Sequence, residues 1–157
     1  MKRFAIVATL ALVLAAGFGC AKKKVEPEPV IASDNVNAEM QSAIQTITDS
    51  RVYFAFNKYN IEKQYDAVLD RDADIMKQYP SIRVQIEGNC DERGTQEYNL
   101  ALGERRARAV YNYLVAKGVN PGQMNTISYG KENPAELGTG EAVWAKNRRD
   151  DFRVTQQ

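Results

Sequence analysis

The 157-residue sequence contains no histidine. That absence removes Cys-His and Ser-His nucleophilic chemistry, and with it every zinc site built on an imidazole. Cysteine is scarce as well: Cys20 and Cys90 are too few for a metal cage, and no C-x-x-C pair is present. An excess of either charge is missing, with 21 basic residues against 20 acidic ones, so the chain shows no footprint for nucleic acid or for a polybasic contact with a membrane surface. No apolar run reaches the roughly 20 residues that cross a bilayer, and no internal repeat or low-complexity segment is found. These absences point to a protein that binds rather than catalyses, with no catalytic residue, metal or cofactor to assign.

What is present begins with MKRFAIVATLALVLAAGFGC. Lys2 and Arg3 precede an apolar run from Phe4 to about Phe18, and small residues lead to Cys20, which is the layout of an export signal over residues 1–19. Gly17-Phe18-Gly19-Cys20 resembles the lipobox of bacterial lipoproteins, although Gly17 stands where an aliphatic residue is usual. The resemblance implies cleavage before Cys20 and acylation of that cysteine with palmitate-type chains, enough lipid for stable anchoring. Ala21 is not the Asp associated with inner-membrane retention, so the implied location is the outer membrane, facing the periplasm. Residues 20–49 carry clustered charge and two prolines, Pro27 and Pro29, and read as a lipidated N-terminus and flexible tether. Met40, Ile44 and Ile47 share a helical face and predict a turn or two of helix over 39–47.

A single domain is expected over 50–157. Val52, Phe54 and Phe56 alternate at period two and predict a strand; Ile61 to Tyr79 predicts an amphipathic helix ended by Pro80. A second strand spans Ile82–Glu87. Thr95 caps a helix that runs to about Lys117 and stops at Gly118, with Gly103, Ala107, Val110 and Leu114 along one stripe. Asn120-Pro121-Gly122 makes a turn, Met124–Tyr129 a third strand, Glu141–Asn147 a short helix and Phe152–Thr155 a closing strand. Strands alternating with helices imply a layered α/β sandwich.

Between the second strand and the capped helix lies EGNCDERGT, residues 87–95. Loops at the carboxyl ends of strands, leading into helix N-termini, are where open α/β sheets bind ligands. Asp91 sits in this loop and Arg106 about three turns into the helix. From the residues alone, an internal Asp91 to Arg106 ion pair or a solvated charged face stands beside a ligand site as an explanation. A thiol enzyme using Cys90 is disfavoured by the missing histidine and by Asp91, whose charge raises a neighbouring thiol's pKa.

Four stretches, VYFAF at 52–56, EGNCDERGTQEYNLALGERRARAV at 87–110, SYGKENPAELG at 128–138 and KNRRDDFRV at 146–154, occur in the order and spacing of one known family. From Val52 to Val154 the chain resembles the peptidoglycan-associated lipoproteins of Gram-negative bacteria, within the OmpA-like domain family. The resemblance implies a two-layer sandwich of helices on a mixed four-stranded sheet, β-α-β-α-β-α-β, and a ligand, the meso-diaminopimelate of the peptidoglycan stem. Carried over by position, Asp91 accepts the ligand's ammonium and Arg106 holds its carboxylate. Asn99 and Leu102 flank the bound stem, Phe56 and Asn57 form the opposite wall, and Gly94 and Thr95 offer backbone amides. Relatives commonly carry Asp where Asn57 stands, and Thr or His where Cys90 stands. Arg148 and Arg149 match an Asn-Arg-Arg signature and are expected to brace a loop, with Trp144 as packing. Implied partners are peptidoglycan, TolB and the inner-membrane Tol proteins, with a role in envelope constriction at cell division; the alternative is a peptidoglycan anchor independent of Tol.

Overall fold

Val84 and Ile86 are fully buried while Gln85 between them is not, so one face of their strand is turned to the core. The structure is a computed structural model and describes residues 31–156, with side chains from 36 onward. The expected export signal, Cys20 and the first part of the tether lie outside the described residues. Four strands, β1 (Arg51–Tyr53), β2 (Arg83–Asn89), β3 (Met124–Gly130) and β4 (Arg149–Gln156), form one sheet in the order β1-β4-β2-β3. β4 is antiparallel to both its neighbours, and β2 and β3 are parallel. The helices are α1 (Ile31–Thr48), α2 (Asp66–Gln78), α3 (Gln96–Ala116) and α4 (Glu141–Asn147). This is the expected mixed four-stranded α/β sandwich. Among the described residues no helix is long and apolar enough to cross a membrane.

Leu69, Ala73 and Met76 of α2, and Ala107, Val110 and Leu114 of α3, recur at helical spacing and meet Val52, Val84, Ile86 and Phe152 of the sheet. One contact sets the height of α3 over the sheet. A Cβ on Gly88 of β2 would lie 2.1 Å from the carbonyl oxygen of Gly103 in α3, so both backbones require glycine to approach this closely. Arg106, nearly one turn beyond Gly103, is thereby carried in over the carboxyl end of β2.

The ends of α3 follow the sequence. Thr95 accepts a hydrogen bond from the Tyr98 backbone N–H at 3.2 Å. Gly118, at φ +91°, donates its N–H to the Val115 carbonyl, and Val119 donates to Leu114, a paired C-terminal cap. Replacing Thr95 by Ala is expected to cost about 1 kcal/mol, read as a lower denaturant midpoint at unchanged slope; an unmoved midpoint would show that the cap contributes nothing.

Four boundaries differ from expectation. β1 stops at Tyr53 rather than Phe56, because the Phe54 N–H goes to the Arg148 carbonyl and the chain then turns, with Lys58 N–H donating to Ala55 and Asn57 at φ +57°. The turn leaves Phe56 56% exposed. β4 begins at Arg149 instead of Phe152, because Asp150 and Asp151 are already paired to β1 on one side and β2 on the other. Residues 31–48, expected as tether apart from 39–47, are helical throughout; Ile47 is fully buried in the core and Ile44 packs against it. Packing on a formed core stabilises a helix whose own propensity is marginal. The predicted helix over 61–79 is a short 3-10 turn at Lys63–Tyr65 followed by α2.

Candidate functional site

β2 runs out at Asn89, and the Cys90 N–H donates to the Gly130 carbonyl at 2.7 Å before the chain swings into the loop. Asn99, buried in the first turn of α3, donates from Nδ2 to the Arg93 carbonyl at 2.8 Å and to Thr95 at 3.1 Å. Lys131 Nζ donates to the Gly94 carbonyl at 2.9 Å. The loop is thus pinned from two sides, with Gly94 at φ +94° where a side chain would be strained.

Beside it opens a cavity of about 190 Å³. Phe56, Asn57, Asp91, Gly94, Asn99, Leu102 and Arg106, residues up to 50 positions apart in sequence, all line it. Thr95 does not; its hydroxyl is the helix cap. Tyr98, Cys90, Arg93 and Arg148 complete the wall. Tyr98 Oη donates to Asn57 Oδ1 across the mouth.

The ion pair that the sequence suggested, Asp91 with Arg106, is not formed. Arg106 is fully buried and spends its guanidinium on main-chain carbonyls: Nε on Lys58 at 2.9 Å, Nη1 on Asn89 at 2.8 Å and Nη2 on Ala55 at 3.4 Å. It floors the cavity and holds the turn after β1 against α3. Asp91 pairs instead with Arg93 (Nη2 to Oδ2, 2.6 Å) and with Arg148 (Nη1 to Oδ2, 3.3 Å). Burial pulls the Asp91 carboxyl upward, but the bonds and charge of Arg93, followed by Arg148, outweigh it and hold the group below the usual carboxylate range.

Arg149 braces as expected, donating to Asp151 at 3.1 Å and to the Asn133 carbonyl. Arg148 does more than brace. It donates to the Phe54 carbonyl at 2.9 Å and to Glu141 at 2.6 Å while facing Asp91 in the cavity wall. Arg93 carries no role in the sequence reading, although it stands only two positions after Asp91. Its guanidinium lies 4.0 Å from the Phe56 ring centre and 4.1 Å from that of Trp144. Trp144 is more than packing: its Nε1 donates to Glu92 at 2.8 Å, tying α4 to the loop.

One carboxylate and three guanidiniums therefore surround the cavity, an arrangement suited to a ligand end that carries both an anionic and a cationic group. Cys90 adds no reactivity. Its burial, then the Asp91 and Asp150 charges, push the thiol up to about 11, with Arg106 opposing. Only on the order of one thiol in 10,000 is ionised at pH 7, so iodoacetamide at neutral pH is expected to leave Cys90 unmodified until the protein is unfolded. Rapid labelling of the native protein would contradict this burial.

The sequence from residue 53 to 148 matches the model of the OmpA family. Over 98 residues the chain is 58% identical to the peptidoglycan-associated lipoprotein of Pasteurella multocida, covering 62% of this chain; the chain spans 65% of that relative's length. It is 39% identical to the peptidoglycan-associated lipoprotein of Pseudomonas putida over 98% of both chains. The crystal structure of the peptidoglycan-associated lipoprotein from Burkholderia pseudomallei superposes with a TM-score of 0.68 at 46% identity, covering 70% of this chain and 93% of that one. The C-terminal domain of Helicobacter pylori MotB shares the fold at a TM-score of 0.64 and 24% identity, over 69% and 85% of the two chains.

Proposed function

The chain belongs to the OmpA family and, within it, to the peptidoglycan-associated lipoproteins, and on that premise we propose that it tethers the outer membrane to the cell wall by gripping the diaminopimelate-bearing stem peptide of peptidoglycan. The observation that carries this reading is the charge set around the cavity, with Asp91 facing Arg93, Arg148 and Arg106. The free end of meso-diaminopimelate is an ammonium and a carboxylate on one carbon. In the proposed complex the ammonium goes to Asp91 and the carboxylate to the guanidiniums, with Phe56, Asn57, Asn99 and Leu102 along the stem. A lysine-containing stem has no such carboxylate and so makes no charge-assisted bond to the guanidiniums. Lipid on Cys20 supplies the membrane end of the tether, at the periplasmic face of the outer membrane. Nothing in this reading requires a catalytic step.

The test is retention of the full-length protein on diaminopimelate-type sacculi, followed by competition with free meso-diaminopimelate. Release by the free amino acid supports the ligand; retention that persists at saturating competitor would overturn it. A place in the Tol system, and in outer-membrane constriction at division, rests on family membership, and co-purification with TolB tests it. Sacculus binding without TolB would leave a Tol-independent anchor.

A further inference from the structure

Resting on the reading above, Asp91 must receive an ammonium, yet its carboxylate is already full. Oδ1 accepts from the Arg93 backbone N–H and from Arg93 Nε, each at 3.1 Å. Oδ2 accepts from Arg93 Nη2 at 2.6 Å and from Arg148 Nη1 at 3.3 Å. These four bonds use the roughly four lone-pair positions a carboxylate offers. One donor has to leave before a ligand cation can arrive.

The three guanidiniums differ in how they are held. Arg106 and Arg148 are buried and donate to main-chain carbonyls of the turn after β1. Among the described residues the Arg93 guanidinium binds no carbonyl; its side chain is 29% exposed, and its ion-pair partners are Asp91 and, at 3.8 Å, Glu141. Its flat face lies against Phe56 and Trp144. Trp144 does not line the cavity, whereas Arg93 does.

We propose that Arg93 is a built-in stand-in for the ligand's cation, and that Phe56, Trp144 and Asp91 form a cage which a primary ammonium enters by displacing the Arg93 guanidinium. An ammonium brings three donors, enough to replace the Nε and Nη2 bonds that Arg93 gives up. Aromatic faces attract such a cation, so Trp144 becomes a ligand contact once Arg93 has moved. The Arg93 backbone bond to Oδ1 stays in place through the exchange, and the ligand's carboxylate is left to Arg148 and Arg106, which are held in the wall by main-chain carbonyls.

The experiment is calorimetric titration of the full-length protein with meso-diaminopimelate and with its di-N-acetyl derivative. Because Trp144 is the single tryptophan, its emission follows the exchange in parallel. Wild-type protein is expected to bind the first probe with a change in emission and to ignore the second. Arg93→Gln, which removes the internal competitor, is expected to bind at least threefold more tightly, while Arg93→Lys, which keeps a cation at Asp91, stays within threefold of wild type. Trp144→Ala is expected to bind about tenfold more weakly and Trp144→Phe within threefold of wild type. If Arg93→Gln binds no better than wild type, or Trp144→Ala binds equally well, the cage is overturned and the ligand assignment stands. Wild-type protein that takes up neither probe overturns both.

Discussion

Arg106→Ala is expected to lose about 3 to 5 kcal/mol of folding stability, a large part of the 5 to 15 kcal/mol typical of a domain. The cost comes from three places. The Lys58, Asn89 and Ala55 carbonyls lose their donors, and a buried acceptor left alone costs about 1 to 3 kcal/mol. A cavity the size of the side chain opens beneath α3. Asp150, fully buried with neither carboxylate oxygen hydrogen-bonded among the described residues, loses the opposite charge that counts most for it. Burial pushes the Asp150 carboxyl well above the ordinary range and Arg106 pulls it back, so the two groups are coupled. Thermal melts are expected to fall by about 10 °C or more, and the double variant Arg106→Ala with Asp150→Ala is expected to lose less than the two single losses added together. A melt at the wild-type temperature would contradict this role. Lost sacculus binding by Arg106→Ala is therefore no measure of a ligand contact.

Asp91→Asn is expected to separate binding from folding. The amide has the shape of the carboxylate without its charge, Arg93 is free to turn to solvent, and Arg148 keeps its bonds to Phe54 and Glu141. Retention on diaminopimelate-type sacculi is expected to drop at least 100-fold, about 2.7 kcal/mol at 1.36 kcal/mol per tenfold, in a protein that still melts cooperatively. The pH dependence of stability has a definite sign. Because Arg93 and Arg148 hold the Asp91 carboxyl below its ordinary value despite the opposing effect of burial, its contribution is present above the unfolded-state pKa near 4 and is lost as pH falls through the lower folded value. The stability difference between wild type and Asp91→Asn is accordingly expected to be flat from neutral pH to about pH 5 and to shrink in stronger acid. An Asn variant that binds sacculi as wild type does would remove Asp91 from the site.

Local signals were legible where local chemistry decides the outcome. Thr95 and Gly118 mark the ends of α3 through their caps, and the period-two alternation of Val84 and Ile86 marks β2. The cavity's residues were legible chiefly through the family pattern, since nothing in periodicity brings Phe56 to Leu102. What stayed hidden is tertiary. The sequence offered Arg106 as the partner for Asp91, but Arg106 is buried on main-chain carbonyls and Arg93 holds the carboxylate instead. The reach of Arg148 to the Phe54 carbonyl spans 94 positions and leaves no local trace. Trp144 read as packing because its partner, Arg93, comes from a loop 51 positions earlier. The N-terminal half of α1 has weak periodicity, and the contacts that join this helix to the core, Ile44 and Ile47, lie in its C-terminal half.

The most direct measurement is sedimentation of the full-length protein with purified sacculi of the diaminopimelate type and of the lysine type, side by side at equal mass and ionic strength. One carboxylate facing three guanidiniums predicts retention on the diaminopimelate wall and recovery in the supernatant with the lysine wall. Equal retention on both would contradict recognition of the stem's zwitterionic end.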